Sequence, residues 1–181
     1  MDATTTPTPL PPPSATATHS AAAAHHPHGP ALRHADTDAD LRACWPVVQQ
    51  LRPRLQSAED FITRVHRMRP DRYRILAAWQ DDGTVLALAG YRLAENLIYG
   101  RFLYVDDLVT RDTARGGRWG QALMDAMARI GEDAGCARLV LDTGLANALA
   151  QRFYFRQGLL TEAVRFGRTL QSAQNGDGAA A

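Results

Sequence analysis

The chain has 181 residues and a formal net charge of +1, and all 20 of its basic residues are arginine. This length suits one domain of ordinary size with terminal tails. A charge so close to zero does not favour bulk attraction to nucleic acid or to a membrane. The absence of lysine excludes Schiff-base mechanisms, including those of pyridoxal phosphate, and every P-loop phosphate site.

Both ends of the chain are poor in large apolar side chains. Residues 1–30 are rich in Thr, Pro, Ala and His, and residues 171–181 are small or polar. Such segments bury too little apolar surface to offset the chain entropy lost on folding. We therefore expect disordered tails at 1–30 and 171–181 and one folded domain over 31–170. The first tail lacks the apolar run of a signal peptide, and no run in the chain reaches the ~18–20 residues of a membrane span.

Between the tails, the apolar periodicity and turn signals predict ten elements. They are a strand over 32–35, helices from about 38 to 51 and 58 to 69, strands over 72–79, 85–93 and 102–110, a helix from 119 to about 134, a strand over 138–142, a helix over 147–157 and a closing strand over 164–170. An antiparallel meander followed by a right-handed β-α-β crossover results. The fold class is α+β, with a single mixed, mostly antiparallel twisted sheet and helices on both faces. We expect the strand over 138–142 to be parallel to its neighbour and buried on both faces.

Several local signals set the boundaries of these elements. Thr37 or Asp38 caps the first helix, which contains Pro46 and therefore begins late or is kinked. Ser57 opens a capping box before the second helix. The Asp81-Asp82-Gly83 sequence is typical of a hairpin turn.

A turn rich in glycine and arginine joins the third strand of the meander to the next helix. Residues 115–120 read Arg-Gly-Gly-Arg-Trp-Gly, and the helix after them has apolar residues at i, i+3, i+4 and i+7. A helix N-terminus with nearby glycines can bind an anion, since its N–H groups are free and a phosphate can approach closely. The turn alone is equally consistent with a phosphate cradle and with an ordinary connection carrying surface arginines. The glycine spacing does not match a dinucleotide fingerprint.

This stretch resembles the acetyl-CoA loop of the GNAT N-acetyltransferase superfamily. That loop reads Arg/Gln-x-x-Gly-x-Gly/Ala and follows a strand of the form acidic-Asp-Leu/Ile-x-Val. Thr110 stands where valine is usual, and Arg118 stands where the inner glycine is usual. An arginine there could crowd the pyrophosphate or bind it. The residues that match in register are Asp106, Asp107, Leu108, Arg115, Trp119 and Gly120.

A second stretch resembles the next motif of the same family, Asn-x-x-Ala-x-x-x-Tyr-x-x-x-Gly-Phe. The chain has leucine at 159 in place of phenylalanine. Both motifs occur in the family's element order, and the resemblance covers residues 32–170. The matching residues are Asn147, Ala150, Tyr154 and Gly158.

The resemblance implies a set of residues that bind acetyl-CoA. Backbone groups at 108–110 would pair with the pantetheine amides as an added strand would, and one N–H would polarise the acetyl carbonyl. Asn147 would hydrogen-bond the pantetheine or phosphate arm; alternatively it caps its helix or faces solvent. The full cofactor set is Leu108, Val109, Thr110, Arg115, Gly116, Gly117, Arg118, Trp119, Gly120, Gln121 and Asn147.

The resemblance also implies the catalytic residues. The Tyr154 phenol would protonate the departing thiolate; alternatively, Tyr154 is a core residue between Phe153 and Phe155. Asp106 and Asp107 are adjacent on a strand and should point to opposite faces unless a bulge intervenes, as is usual in this family. One of them would meet the amine and take its proton. Asp107 is the preferred candidate for taking the amine proton, because the matching family position is the more constant acidic one.

These implications describe a cytoplasmic enzyme that transfers acetyl from acetyl-CoA directly to a primary amine of a small molecule or protein, in a ternary complex and without a metal. Two alternatives stay open, a non-catalytic acyl-CoA sensor or interaction domain of the same fold and a transferase of a bulkier acyl group. We expect no nucleic-acid or membrane partner, and the chain could form a homodimer. Acceptor specificity is expected at 41–70 and 95–100, and the arginines at 64, 67, 69 and 72 form either a solvated face or a site for an acidic acceptor group.

Overall fold

The structure is a computed structural model that describes residues 31–169. The tails predicted at 1–30 and 171–181 lie outside the described residues, as does the last residue of the predicted closing strand.

Four α-helices occur in the described residues: α1 (Asp38–Leu51), α2 (Ala58–Met68), α3 (Trp119–Asp133) and α4 (Ala148–Arg156). The first two begin where their caps were predicted. The Thr37 hydroxyl accepts a bond from the Asp40 amide, 3.1 Å away, while the Asp40 carboxylate accepts from the Thr37 amide. At α2, the Ser57 hydroxyl accepts from the Asp60 amide at 3.1 Å. Both caps satisfy amides that a helix start leaves unpaired, and α1 continues through Pro46.

Five strands form one sheet in the order β1-β2-β3-β4-β5. Neighbouring strands are antiparallel except β4 and β5, which are parallel. The meander and the crossover through α3 therefore confirm the predicted α+β class. The strands are β1 (Ala31–His34), β2 (Tyr73–Trp79), β3 (Val85–Asn96), β4 (Gly100–Thr110) and β5 (Arg138–Leu141).

Each face of the sheet carries its own apolar cluster. Helices α1 and α2 pack on one face, against β2 residues such as Ile75 and Ala77. Helix α3 packs on the other, where Leu123 and Met127 meet the alternate β2 residue Leu76. This period-two alternation along β2 is what a strand covered on both sides requires, and it confirms helices on both faces.

Two predictions for the C-terminal part of the domain are wrong. Strand β5 is not buried on both faces, because no residue of β5 is fully buried and the strand lies at the edge of the sheet. Residues 161–169 form no regular secondary structure and are exposed throughout, so they add no closing strand. Residues 164–170 were predicted to form a strand, but a strand also needs a partner edge, which the local sequence cannot supply.

Candidate active site

A β-bulge in β4 brings the two adjacent aspartates to the same face of the sheet. Gly90 of β3 pairs with Asp107, but Tyr91 pairs with Val105, so Asp106 is the extra residue. A bulge interrupts the alternation of side chains. Both carboxylates consequently line one cavity on the α1–α2 side. The alternation expected from sequence would have put them on opposite faces, and the bulge corrects that expectation.

The two carboxylates are held by different partners. Asp106 accepts two bonds from the Arg92 guanidinium, at 2.9 and 2.8 Å. Asp107 accepts from the Tyr73 hydroxyl and from Arg52 Nε, each at 2.7 Å. A second Arg52 nitrogen donates to the Asp106 backbone carbonyl at 2.7 Å. The bulge is therefore held by the buried phenol of Tyr73 and by the partly exposed guanidinium of Arg52.

Tyr73 supports this arrangement because its hydroxyl remains a donor. Burial, followed by the nearby Asp107 charge, raises the pKa of Tyr73 well above its usual value. Gly90 leaves the space that the bond needs, since a Cβ there would lie 2.1 Å from the Tyr73 oxygen and 2.7 Å from an Asp107 carboxylate oxygen. No side chain larger than hydrogen can therefore occupy position 90 without disturbing this pair.

The cavity beside the aspartates has a volume of about 490 Å³. That is within the ~300–1,000 Å³ of typical small-molecule sites. Its apolar wall comes from the end of α1, the following loop and α2, and its polar groups are the aspartates, Tyr73 and three arginines. The apolar wall is formed mainly by Val48, Leu51, Leu55, Phe61, Val65 and Met68.

Past the bulge, one edge of β4 is open. Leu108, Val109 and Thr110 pair with β3 on one side. On the other side, β5 pairs only with residues 102–105. In an antiparallel pair, alternate residues point their N–H and C=O groups away from the partner strand. The segment at 108–110 thus presents free backbone groups beside the aspartates, as an added strand or a pantetheine arm requires.

The N-terminus of α3 follows this open edge. Arg118 is its N-cap residue, and its left-handed backbone conformation, with φ of 58°, is one that glycine adopts without strain. No side chain caps the helix, and its first turn has no acidic residue. The free amides and the positive end of the helix dipole at 118–121 therefore suit an anion. Within the described residues Arg115 pairs with Asp112, whereas Arg118 has no ion-pair partner.

Two of the glycines in this loop make close packing contacts. A Cβ on Gly120 would lie 3.1 Å from the Phe153 ring of α4. A Cβ on Gly117 would lie 2.4 Å from Trp119 Nε1, so the indole lies over the backbone of this loop. Gly120 thus brings α3 and α4 together, a role that its place in the loop motif did not indicate.

Tyr154 lies next to Phe153 on α4, and the two rings meet edge to face at 5.4 Å. Burial raises the pKa of Tyr154, so the phenol keeps its proton at neutral pH. Its hydroxyl bonds to no other described residue, and no described side-chain atom is both buried and unpaired. The hydroxyl is therefore accessible from outside. Tyr154 does not line the cavity of the aspartates.

Asn147 caps α4 through its side-chain oxygen, which accepts from the Ala150 amide at 3.2 Å. The side chain is exposed. Capping uses only the oxygen, so the amide nitrogen can still donate a hydrogen bond outward.

Comparison with known proteins identifies the family. The sequence profile described as "Acetyltransferase (GNAT) family" matches residues 35–159, which is most of the chain. The chain belongs to the GNAT acetyltransferase family. A sequence search of curated proteins finds none with significant similarity.

Solved GNAT structures have the same fold at low sequence identity. An aminoglycoside N-acetyltransferase in complex with CoA superposes with a TM-score of 0.67 at 19% identity, covering 79% of this chain and 97% of that chain. A Trypanosoma brucei acetyltransferase gives 0.65 at 19%, covering 77% and 98%. Glucosamine-6-phosphate N-acetyltransferase from Arabidopsis thaliana gives 0.60 at 18%, covering 77% and 97%. Family and fold together make this GNAT protein an acyltransferase enzyme.

Sequence reasoning missed the residues that fix the aspartates. Arg52 is 55 positions from Asp107, and Tyr73 is 34 positions from it. Neither lies in a family motif, and only the pairing of distant elements brings them together. The glycine inside the β3 strand pattern was an available signal, because an isolated strand glycine often marks a bulge or a close approach.

Among residues 31–169, no group of three metal-ligating side chains could hold a metal ion. In the same range, no helix is long and apolar enough to cross a bilayer. Both cysteines are free thiols, and burial raises the pKa of Cys44 to about 12.

Proposed function

We propose that this GNAT protein transfers acetyl from acetyl-CoA directly to a primary amine in a ternary complex. The observation that carries the proposal is the bulge in β4. It places Asp106 and Asp107 in a cavity of about 490 Å³, immediately before the open edge at 108–110. Acetyl-CoA and the amine would thus meet where β4 continues beyond its pairing with β5.

The donor half of the proposal uses the open edge and the start of α3. The pantetheine amides would pair with 108–110, and the pyrophosphate would lie on the free amides of Arg118, Trp119, Gly120 and Gln121, next to Gly116 and Gly117. Arg115 and the outward amide of Asn147 would contact the same arm. Relatives of this fold have been solved with CoA, including the aminoglycoside acetyltransferase.

The acceptor half uses the aspartates. Asp107, with Asp106 beside it, would orient the ammonium and accept its proton directly or through water. The amine nitrogen would then attack the thioester carbonyl, forming an amide bond as the carbon–sulfur bond breaks. An N–H of the open edge would stabilise the developing oxyanion. The Tyr154 hydroxyl would donate its proton to the departing thiolate.

A sensor that binds acyl-CoA without turnover is the second candidate. Arg118 in the left-handed position supports it, because that residue departs from the family's glycine. Release of CoA thiol from acetyl-CoA, measured with and without a panel of amines, separates the two. The enzyme predicts amine-dependent release, whereas a sensor would bind CoA in a calorimeter and release none.

A further inference from the structure

The acceptor cavity contains an ion pair where an amine acceptor needs a free carboxylate. Arg52 Nε lies 2.7 Å from an Asp107 oxygen, and the Asp107 side chain is only 14% exposed. The charge of Asp106 is already compensated by the Arg92 guanidinium, which donates to both of its oxygens. An ammonium that binds Asp107 as its counter-ion would take the place of the Arg52 guanidinium there.

The Arg52 side chain can leave at small cost. It is half exposed, and ion pairs accessible to water are weak. Asp107 would keep its bond from the Tyr73 hydroxyl and stay in place. The guanidinium, however, would lose both the carboxylate and its bond to the bulge carbonyl, leaving it in need of an anion.

A molecule with an ammonium and a carboxylate on one carbon satisfies both groups at once. Its ammonium would bind Asp107, and its carboxylate would accept the Arg52 fork, which suits bidentate carboxylate binding. The pair would open to admit the zwitterion without leaving either charge unpartnered. Arg54, at the rim of the cavity and without an ion-pair partner in the described residues, adds to the positive side.

The rest of the cavity selects the side chain of such an acceptor. Leu55, Phe61, Val65 and Met68 form an apolar wall next to the aspartates. Arg64, the other cation of the wall, is already paired with Asp60. An apolar side chain would bury surface against this wall, whereas a basic one would be desolvated beside three arginines without a free acidic partner.

We infer that the acceptor is a free α-amino acid with an apolar side chain, bound by insertion of its ammonium and carboxylate between Asp107 and Arg52. This inference rests on the proposed function and names the acceptor class of the same site. It also revises the arginines of interest, because the residue at 52 takes the role considered for those at 64, 67, 69 and 72.

The test compares three acceptors that share one side chain, namely leucine, leucinamide and 3-methylbutylamine. We expect kcat/KM for leucine to exceed that for the other two by about tenfold or more, because a site built for a polar group discriminates against analogues lacking it. Methionine and phenylalanine should be acetylated, and arginine should not. Arg52→Gln should raise the KM for leucine by about tenfold and remove most of the preference for leucine over leucinamide, with little change in the KM for acetyl-CoA.

Arg67→Gln is the matched control, because Arg67 is exposed on α2 and lies outside the cavity. It should change none of these values. Calorimetric titration with CoA, together with turnover of the amines, distinguishes failure of the proposed function from failure of this inference. If CoA does not bind, or if it binds and no amine of any kind is acetylated, the proposed function fails and the inference with it. If amines lacking a carboxylate are acetylated as well as leucine, or if such amines react and no amino acid does, the inference is overturned on its own.

Discussion

The hydroxyl of Tyr154 is accessible and has no partner in the described residues, so its removal should act on chemistry alone. Tyr154→Phe should lower kcat by ~10²–10⁴-fold, the usual contribution of a positioned general acid, with little change in affinity for acetyl-CoA. Steady-state kinetics measures both quantities. Tyr99→Phe is the matched control, since that ring lies in the β3–β4 turn against Phe102.

The alternative for Tyr154 predicts a different pattern. A structural hydroxyl would lower the free energy of unfolding by roughly 0.5–1.5 kcal/mol when removed and leave kcat intact. Urea unfolding of Tyr154→Phe beside Tyr99→Phe would detect that loss. An unchanged kcat would return Tyr154 to a packing role.

Arg118 combines a strained backbone with a free charge at the α3 N-terminus. Arg118→Gly should raise the free energy of unfolding by up to about 1 kcal/mol, because glycine adopts φ near +60° without the Cβ clash. The same change should weaken CoA binding, since a guanidinium that is unpaired within residues 31–169 is removed from beside the phosphates. Thermal unfolding and calorimetry measure the two effects. Tighter CoA binding in the variant would show instead that the side chain crowds the pyrophosphate.

The family resemblance proposed Asp106, Asp107 and Tyr154 from motifs of fixed local spacing; the structure brings the two aspartates into one cavity, and Tyr154 lies outside it. The sequence could not predict what Arg52 and Tyr73 do, since their contacts depend on how α1 and β2 meet β4. Their own neighbours in sequence give no sign of the network.

At the scale of elements, α3 and α4 approach closely at Gly120, where the absence of a side chain leaves room for the Phe153 ring. A Cβ at Gly120 would lie 3.1 Å from the Phe153 ring, so Gly120→Ala should displace α4. We expect a loss of roughly 1–3 kcal/mol in the free energy of unfolding, as for other overpacked sites. Gly120→Asp would place an anion at the phosphate site but would have the same structural effect, so loss of CoA binding in that variant would not isolate the role of the site.

Gly131→Ala is the matched control within the same helix. A Cβ there would make ordinary contacts at 3.6–3.8 Å, and alanine is the better helix former, so this variant should gain about 0.5–1 kcal/mol. Urea unfolding compares the two. Equal stability changes in the two variants would contradict the proposed packing of Phe153 on Gly120.

The order and boundaries of most elements could be predicted from caps and apolar periodicity, as Thr37 and Ser57 illustrate. The bulge at Asp106 was expected only through the resemblance, because strand alternation alone predicts opposite faces. The closing strand could not be judged from 164–170, since its formation depends on an edge elsewhere.

At the scale of the molecule, exposed apolar side chains concentrate after β5. Val164 is 61% exposed and Phe166 is 92% exposed, in the segment after α4 that forms no regular secondary structure. We predict a homodimer in which a second copy covers this segment, because exposed apolar patches mark interaction sites. Light scattering should give twice the mass of one chain, and Phe166→Ser should reduce the measured mass toward that of a single chain.

Leu97→Ser controls for loss of any exposed apolar side chain, since Leu97 is fully exposed in the β3–β4 turn. This variant should remain dimeric. A monomeric mass for the unaltered chain at concentrations of tens of micromolar would exclude the dimer.

The central claim is that one continuous surface, from the open edge of β4 to the start of α3, holds the acetyl donor beside the aspartates. A crystal structure with CoA tests it most directly. We predict pantetheine amides hydrogen-bonded to 108–110, pyrophosphate oxygens about 3 Å from the amides at 118–121, and the CoA sulfur within hydrogen-bond reach of the Tyr154 hydroxyl. CoA bound elsewhere, or with its sulfur directed away from both Tyr154 and the aspartate cavity, would contradict the account.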